Sequence, residues 1–149
     1  MDNIFLETSS SITKEEIIEV ASKLDIKLSD EFINHYTQFN GGYPIRRFYK
    51  WPDGATTRID HFFSIKYEGF TQFEEAYNDL FIIEQVLPLG YVPFAVDDGG
   101  NFFCFSVLPS NYNSVFYAAM YHYSSENPSN YLTLVGLSLK KFIDKLSDL

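Results

Sequence analysis

The sequence predicts a single α+β domain, with a mainly antiparallel central sheet packed by N-terminal and C-terminal helices. Helical periodicity occurs at both ends of the 149-residue chain, and short runs rich in aromatic and β-branched residues fill its middle. The order helix–helix–strands–helix–strands–helix lacks the regular alternation of a doubly wound fold. At the centre, the apolar runs 91–96 and 102–107 flank a turn of Asp, Gly and Asn residues, which is typical of a β-hairpin. The second run is apolar at nearly every position, so we expect a central strand covered on both faces.

Three helices have recognisable starts. Thr13 followed by Glu16 is a capping-box pattern, and Ser29 and Ser138 are the caps expected for the second and last helices. Residues 40–42, Asn-Gly-Gly, should end the second helix. Before the central hairpin we predict a loose lead-in (1–11), a loop or irregular strand (43–56) with a turn at 51–54, a strand (57–65) and a helix (71–82). After the hairpin we predict a strand (115–123), a polar loop (124–130) and a short strand or extended segment (131–135). All of these elements belong to one domain spanning 1–149.

The charge is strongly one-sided. Eleven Lys and Arg residues against twenty Asp and Glu residues give a net charge of −9, which argues against a nucleic-acid partner. An acidic surface favours a basic protein partner, although acidity also simply keeps a small protein soluble. No apolar run is long enough to cross a membrane, and the N-terminus carries an acid where a signal peptide would carry Lys or Arg. We therefore expect a cytoplasmic protein with no membrane partner.

No residue pattern points to catalysis, a metal or a cofactor. His35, His61 and His122 lie far apart in the chain, and Asp60 and His61, as strand neighbours, should face opposite sides. The single cysteine, Cys104, excludes an internal disulfide and fits a reducing compartment. It stands within an apolar strand, so we expect a buried thiol; a small hydrolase that uses Cys104 is the enzymatic alternative. We expect no metal, no cofactor and no enzyme activity.

The candidate binding residues are a tryptophan and exposed acids. Trp51 lies in a polar loop, where it could anchor an interface or fold over the core as a lid. Asp97 and Asp98 read first as turn formers; any further role would be to present charge to a basic partner. The tentative partner-binding set is Trp51, Asp53, Asp60, Glu68, Asp97 and Asp98, with Glu74 and Glu75 as further acidic candidates.

Three motifs in order resemble the SUKH superfamily, whose eukaryotic namesake is a yeast cell-wall assembly regulator. They are the Asn-Gly-Gly helix end at 40–42, the stretch 87–101 with Gly90, Pro93 and Asp97, and a C-terminal helix with Ser138 four residues before Phe142. The resemblance covers residues 13–149. One departure is the segment 26–29, where the family often has an aromatic residue or proline.

The resemblance implies a function that the composition does not show. Bacterial members resemble immunity proteins that are encoded beside a toxin and bind its C-terminal domain, often a nuclease or deaminase. The expected function is therefore stoichiometric binding and neutralisation of a cognate toxin domain; the alternative is a non-catalytic regulatory or scaffolding module. The family pattern includes no catalytic residues to carry over.

Overall fold

A computed structural model describes residues 2–120 and 131–148. The elements in chain order are β1 (Phe5–Leu6), α1 (Lys14–Lys23), α2 (Asp30–Gln38), β2 (Tyr43–Pro44), β3 (Phe48–Lys50), β4 (Thr56–Phe62), α3 (Phe73–Tyr77) continued by a π-helix (Asn78–Ile83), β5 (Tyr91–Asp97), β6 (Phe102–Ser106), a 3-10 turn (Pro109–Asn111), β7 (Val115–Ala118), β8 (Leu132–Gly136) and α4 (Leu139–Asp144).

Six strands form one antiparallel sheet in the order β3-β4-β5-β6-β7-β8, and β1 and β2 form a separate two-stranded sheet. This confirms the α+β fold. The central hairpin is β5 and β6, and β6 lies inside the sheet between β5 and β7. Phe103 and Phe105 of β6 pack into the larger apolar cluster, whereas Cys104 between them packs into the smaller one. Because neighbouring strand residues face opposite sides, β6 is covered on both faces, as its apolar sequence predicts.

The predicted helix starts are confirmed. The Glu16 amide donates to the Thr13 hydroxyl (3.2 Å), and the Thr13 amide donates to the Glu16 carboxylate (3.1 Å), which completes the capping box. The Ser29 and Ser138 hydroxyls accept from backbone amides in the same way. Asn40, at the end of α2, is buried, and its side chain bonds the backbone of Ser10 and Ile65. It therefore ties α2 to two distant segments.

The N-terminal segment is not the loose lead-in that the sequence suggested. Phe5 pairs with Pro44 in the small sheet and is buried beneath α2 against Phe39. The Asn3 side chain donates to the Arg46 carbonyl (2.9 Å) and accepts from the Arg46 amide (3.0 Å). A strand of two residues is too short to show the alternation of apolar and polar residues that identifies a strand. The pairing of β1 could therefore not be predicted from the sequence.

In the middle of the chain, several strands and helices begin or end at other residues than the sequence predicts. The strand expected over 57–65 ends at Phe62, and the helix expected over 71–82 is a five-residue α-helix followed by six residues of π-helix. The strand expected over 115–123 is described from Val115 to Ala118. Its last three residues, His122 among them, and the loop expected over 124–130 lie outside the described residues.

Candidate interaction surface

Asp97 does not present its charge to solvent. Its side chain is buried and accepts from the amides of Gly99 (2.9 Å) and Asn101 (2.8 Å) and from the Tyr117 hydroxyl (2.6 Å). The sequence indicates only a hairpin turn, which is normally exposed to solvent. In the structure β7, the strand next to β6, places Tyr117 over this carboxylate. Asp97 therefore organises the β5–β6 turn and is unsuited to contacting a partner.

Asp60 and Asp98 lie together on the surface beside two arginines. Asp98 pairs with Arg58 (2.9 Å), and its amide donates to the Arg58 carbonyl (3.2 Å). Arg47 donates to the Asp60 carbonyl and stacks over the Tyr43 ring (4.4 Å). Two positive charges thus stand beside the two carboxylates. This cluster is close to neutral, so it offers little net attraction to a basic partner.

The expectation that Asp60 and His61 face opposite sides is wrong. Asp60 Oδ2 lies 2.6 Å from His61 Nδ1, and His61 Nε2 lies 2.8 Å from Thr71 Oγ1. The cause is an irregularity in the β4–β5 register between Ile59 and His61, where a β-bulge breaks the two-residue alternation. The hydrogen bond to His61 lowers the pKa of Asp60.

A carboxylate, an imidazole and a hydroxyl in this order also occur in nucleophilic catalytic triads. Neither of the two cavities described in this chain is lined by Asp60, His61 or Thr71. The phenyl ring of Phe70 packs at a tilt against the imidazole of His61, with 5.3 Å between the ring centroids. The arrangement therefore acts as a polar link between β4 and the start of α3.

Trp51 lies half-buried at the edge of the larger core. Its ring packs edge-on against Tyr49 (4.8 Å) and Tyr117 (5.2 Å), and its indole N–H donates to the Thr57 hydroxyl (2.8 Å). Both the apolar body and the polar atom of the side chain are thus engaged within the domain. This is the packing expected of a lid over the core.

Asp53 and Glu68 are exposed and lie in two different loops. Asp53 lies in the turn before β4, where its carboxylate accepts from the Ala55 amide (2.9 Å). Glu68 lies in the loop after β4, and its carbonyl accepts from Ser9. The tentative binding residues are therefore divided among a buried turn, a charge-balanced cluster, a lid and two separate loops.

Further exposed acids lie on α3 and the π-helix, and of these the sequence analysis named Glu75 as a candidate but not Asp79 or Glu84. Residues 67–139 contain eight Asp and Glu residues and no Lys or Arg. Several of these acids surround α3 and the π-helix, where two large apolar side chains, Ile82 (53% exposed) and Ile83 (67% exposed), also face solvent. The α3 surface comprises Glu75, Asp79, Ile82, Ile83 and Glu84, which are all exposed. The sequence alone could have indicated this surface, because it shows directly that residues 67–139 contain no Lys or Arg.

Other kinds of site find no support in the part of the chain that is described. Cys104 is fully buried, and burial raises the pKa of its thiol. Among residues 2–120 and 131–148, no group of three or more His, Cys, Asp or Glu residues could hold a metal ion. A search of the same residues finds no helix with the length and apolar character needed to span a membrane.

These features define an α+β domain with an inner strand covered on both faces, a buried thiol and an exposed surface of acidic and apolar side chains. The SMI1 / KNR4 family (SUKH-1) model matches residues 11–145, and the chain belongs to this family. The SUKH family is known for immunity-like and regulatory roles and is generally non-catalytic. The comparison with curated proteins found no matching sequence.

Proposed function

We propose that this chain is an immunity protein that binds and neutralises a cognate toxin domain, such as a nuclease, in a stoichiometric complex. The observation that carries the proposal is membership of the SUKH family over residues 11–145. The uneven charge supports it, because a nuclease must attract phosphate and so presents a basic groove. An acidic protein that covers such a groove competes with the substrate directly.

The α3 surface is the face we propose for this contact. None of the ion pairs among the described residues includes Glu75, Asp79 or Glu84, so no direct partner offsets their negative charge. Ile82 and Ile83 supply exposed apolar area beside these acids. Charge at the rim of an interface raises the association rate, and buried apolar side chains at its centre slow dissociation. A second copy of this acidic surface would be repelled, so a basic partner fits best.

The test is co-expression with the toxin domain encoded by the adjacent gene. The intact chain should restore growth and form a one-to-one complex whose association rate falls as salt rises. Replacing Glu75 and Asp79 with Lys should slow association about tenfold or more at low salt. The matched control replaces Glu15 and Glu19, two exposed acids of α1, with Lys; this pair changes the total charge equally and should have a much smaller effect.

Two results would overturn the proposal. The first is unchanged toxicity when the intact chain is co-expressed at excess. The second is a stable host partner that is not a toxin, which would favour the regulatory or scaffolding function instead. Equal losses in the α3 variant and the α1 control would leave neutralisation in place but reject the α3 surface as the contact face.

A further inference from the structure

A groove of about 800 Å³ lies between α2, α4 and the N-terminal segment. It shares no residue with the α3 surface. Residues Glu31, Asn34, His35 and Gln38 line one wall at helical spacing, so a single face of α2 is turned toward the groove along its length. The opposite wall is formed by α4.

The inner lining of the groove is apolar. Phe5 and Phe39 stack on each other at 5.3 Å, and Leu139 and Ile143 of α4 are buried beside the groove. These side chains belong to the larger core or pack against it, so the lining is held rigidly. An apolar lining with a few polar groups is typical of a site that takes up a side chain or a small ligand.

His35 provides a polar atom that lacks a partner. Its ring packs against Phe5 (4.7 Å) and Phe62 (5.8 Å), and its Nε2 is buried without a hydrogen-bond partner among the described residues. A buried polar atom with no partner costs about 1–3 kcal/mol, so His35 is a local cost to the fold beside the groove. The burial that isolates this ring also favours its neutral form, and a neutral imidazole does not repel a cation.

The rim of the groove is acidic. Asp2, Glu31 and Asp144 line it, against the single base Lys140. Lys140 already pairs with Asp144 (2.7 Å), and its backbone amide donates to Glu31 (2.8 Å). The remaining negative charge would attract a cationic group at the rim rather than an anionic one.

We propose that this groove binds a short segment of a partner protein in which apolar side chains stand beside Lys or Arg. The apolar side chain packs on Phe39, Leu139 and Ile143, and the cation reaches the carboxylates at the rim. A groove beside a helix is a common way to recognise such a segment. The site does not depend on the proposed function, since it requires only a segment of this chemistry. A second copy of this rim would be repelled by like charge.

The experiment titrates the full chain with a ten-residue amidated peptide in which leucine and arginine recur at helical spacing, and follows the backbone amides by NMR. Shift changes should concentrate at Asn34, Gln38 and Ile143. The same peptide with serine in place of leucine should bind at least tenfold more weakly, and the version with glutamate in place of arginine should not bind.

Two variants of α2 sharpen the test. Asn34→Arg places a long cation inside the groove and should weaken binding about tenfold or more, which corresponds to about 1.4 kcal/mol. Thr37→Arg makes the same charge change on an exposed position of the same helix outside the groove and should weaken binding less than twofold. Both positions are exposed, so circular dichroism should show unchanged folding and melting for each.

The proposal is overturned if the shift changes spread over the acidic surface or centre on the α3 surface. It is also overturned if the serine peptide binds as tightly as the leucine peptide, because charge alone would then explain binding. Equal effects of the Asn34 and Thr37 substitutions on binding would also overturn the proposal, because charge alone would then explain them. None of these results bears on toxin neutralisation, which is measured separately by co-expression.

Discussion

Asp97 and Asp98 are adjacent in sequence but have different roles in the β5–β6 turn. The carboxylate of Asp97 is buried and accepts several hydrogen bonds, whereas that of Asp98 is exposed and pairs with Arg58. The sequence identifies both as turn formers, which is correct, but it cannot show that Tyr117 from a distant strand covers only the first. Burial is set by tertiary packing, so the energetic value of each acid follows from the fold rather than from the turn.

Replacing each acid with alanine separates the two roles. Asp97→Ala leaves the Tyr117 hydroxyl and two turn amides without their acceptor, so we expect a loss of about 2–3 kcal/mol in the free energy of unfolding. Asp98→Ala removes one exposed ion pair and should cost less than about 1 kcal/mol. Urea denaturation of the two variants measures both values. A loss for Asp97→Ala as small as the one expected for Asp98→Ala would show that Asp97 is not a structural residue.

His35 makes the fold sensitive to acid. Burial lowers its pKa from 6.5 to about 4, so the unfolded chain binds this proton more tightly than the folded one. Stability should therefore fall as the pH drops from 6.5 toward 4, by up to about 3 kcal/mol from this group. His35→Phe keeps the aromatic packing and removes the proton site, so its unfolding free energy should decline less over the same range. Parallel pH profiles for the two proteins, measured in urea, would contradict this assignment.

At the scale of elements, the N-terminal strand depends on one glycine. Gly42 has a φ of +78°, and a Cβ atom there would lie 2.3 Å from the Leu6 carbonyl oxygen of β1. The Gly42 carbonyl accepts from the Phe62 amide of β4 (2.7 Å), so this residue is held between two strands. The sequence correctly marks the Asn-Gly-Gly segment as a helix end. It could not show that the same glycine permits β1 to dock, because the contact joins segments about 36 residues apart.

Two glycine substitutions test this role. Gly42→Ala adds a backbone clash to an unfavourable φ and should lower the unfolding free energy by on the order of 3 kcal/mol, with faster amide exchange in β1. Gly54 also has a positive φ (+93°), but the space around its Cβ position is open. Gly54→Ala should therefore cost only about 1 kcal/mol, the strain of the backbone alone. A Gly42→Ala loss no larger than the control would mean that β1 shifts without penalty.

For the whole molecule, the sequence predicts what depends on local pattern. The capped helices, the central hairpin and the double coverage of β6 follow from periodicity, caps and turn residues. The partner-binding residues stay a prediction, and the sequence could not show that a neutralising partner such as Arg58 for Asp98 comes from another strand. The absence of Lys and Arg between residues 67 and 139 is visible in the sequence alone, but Asp98 within this range still pairs with Arg58 outside it. Ion pairs between residues that are distant in the sequence decide which acids remain available to a partner.

The rate at which a reagent labels Cys104 can show whether the domain unfolds cooperatively, since it is the chain's only cysteine. Its thiol lies in the smaller apolar cluster beneath Leu80, Leu87 and Tyr131, on the inner strand β6. A thiol reagent can reach it only if β6 separates from its neighbours or if the segment around the π-helix lifts away. We expect the first route, because Leu80 and Leu87 of the covering segment are themselves buried in this cluster and hold the cover in place.

The labelling rate of Cys104 should then be very slow in the native protein and should rise with urea as steeply as global unfolding does. Gly42→Ala, which lowers global stability, should accelerate labelling by a factor that matches its loss of unfolding free energy. A rate that hardly depends on urea would instead show that the π-helix cover opens by itself. In that case the α3 surface would be a mobile flap over the sheet rather than a fixed face of the domain.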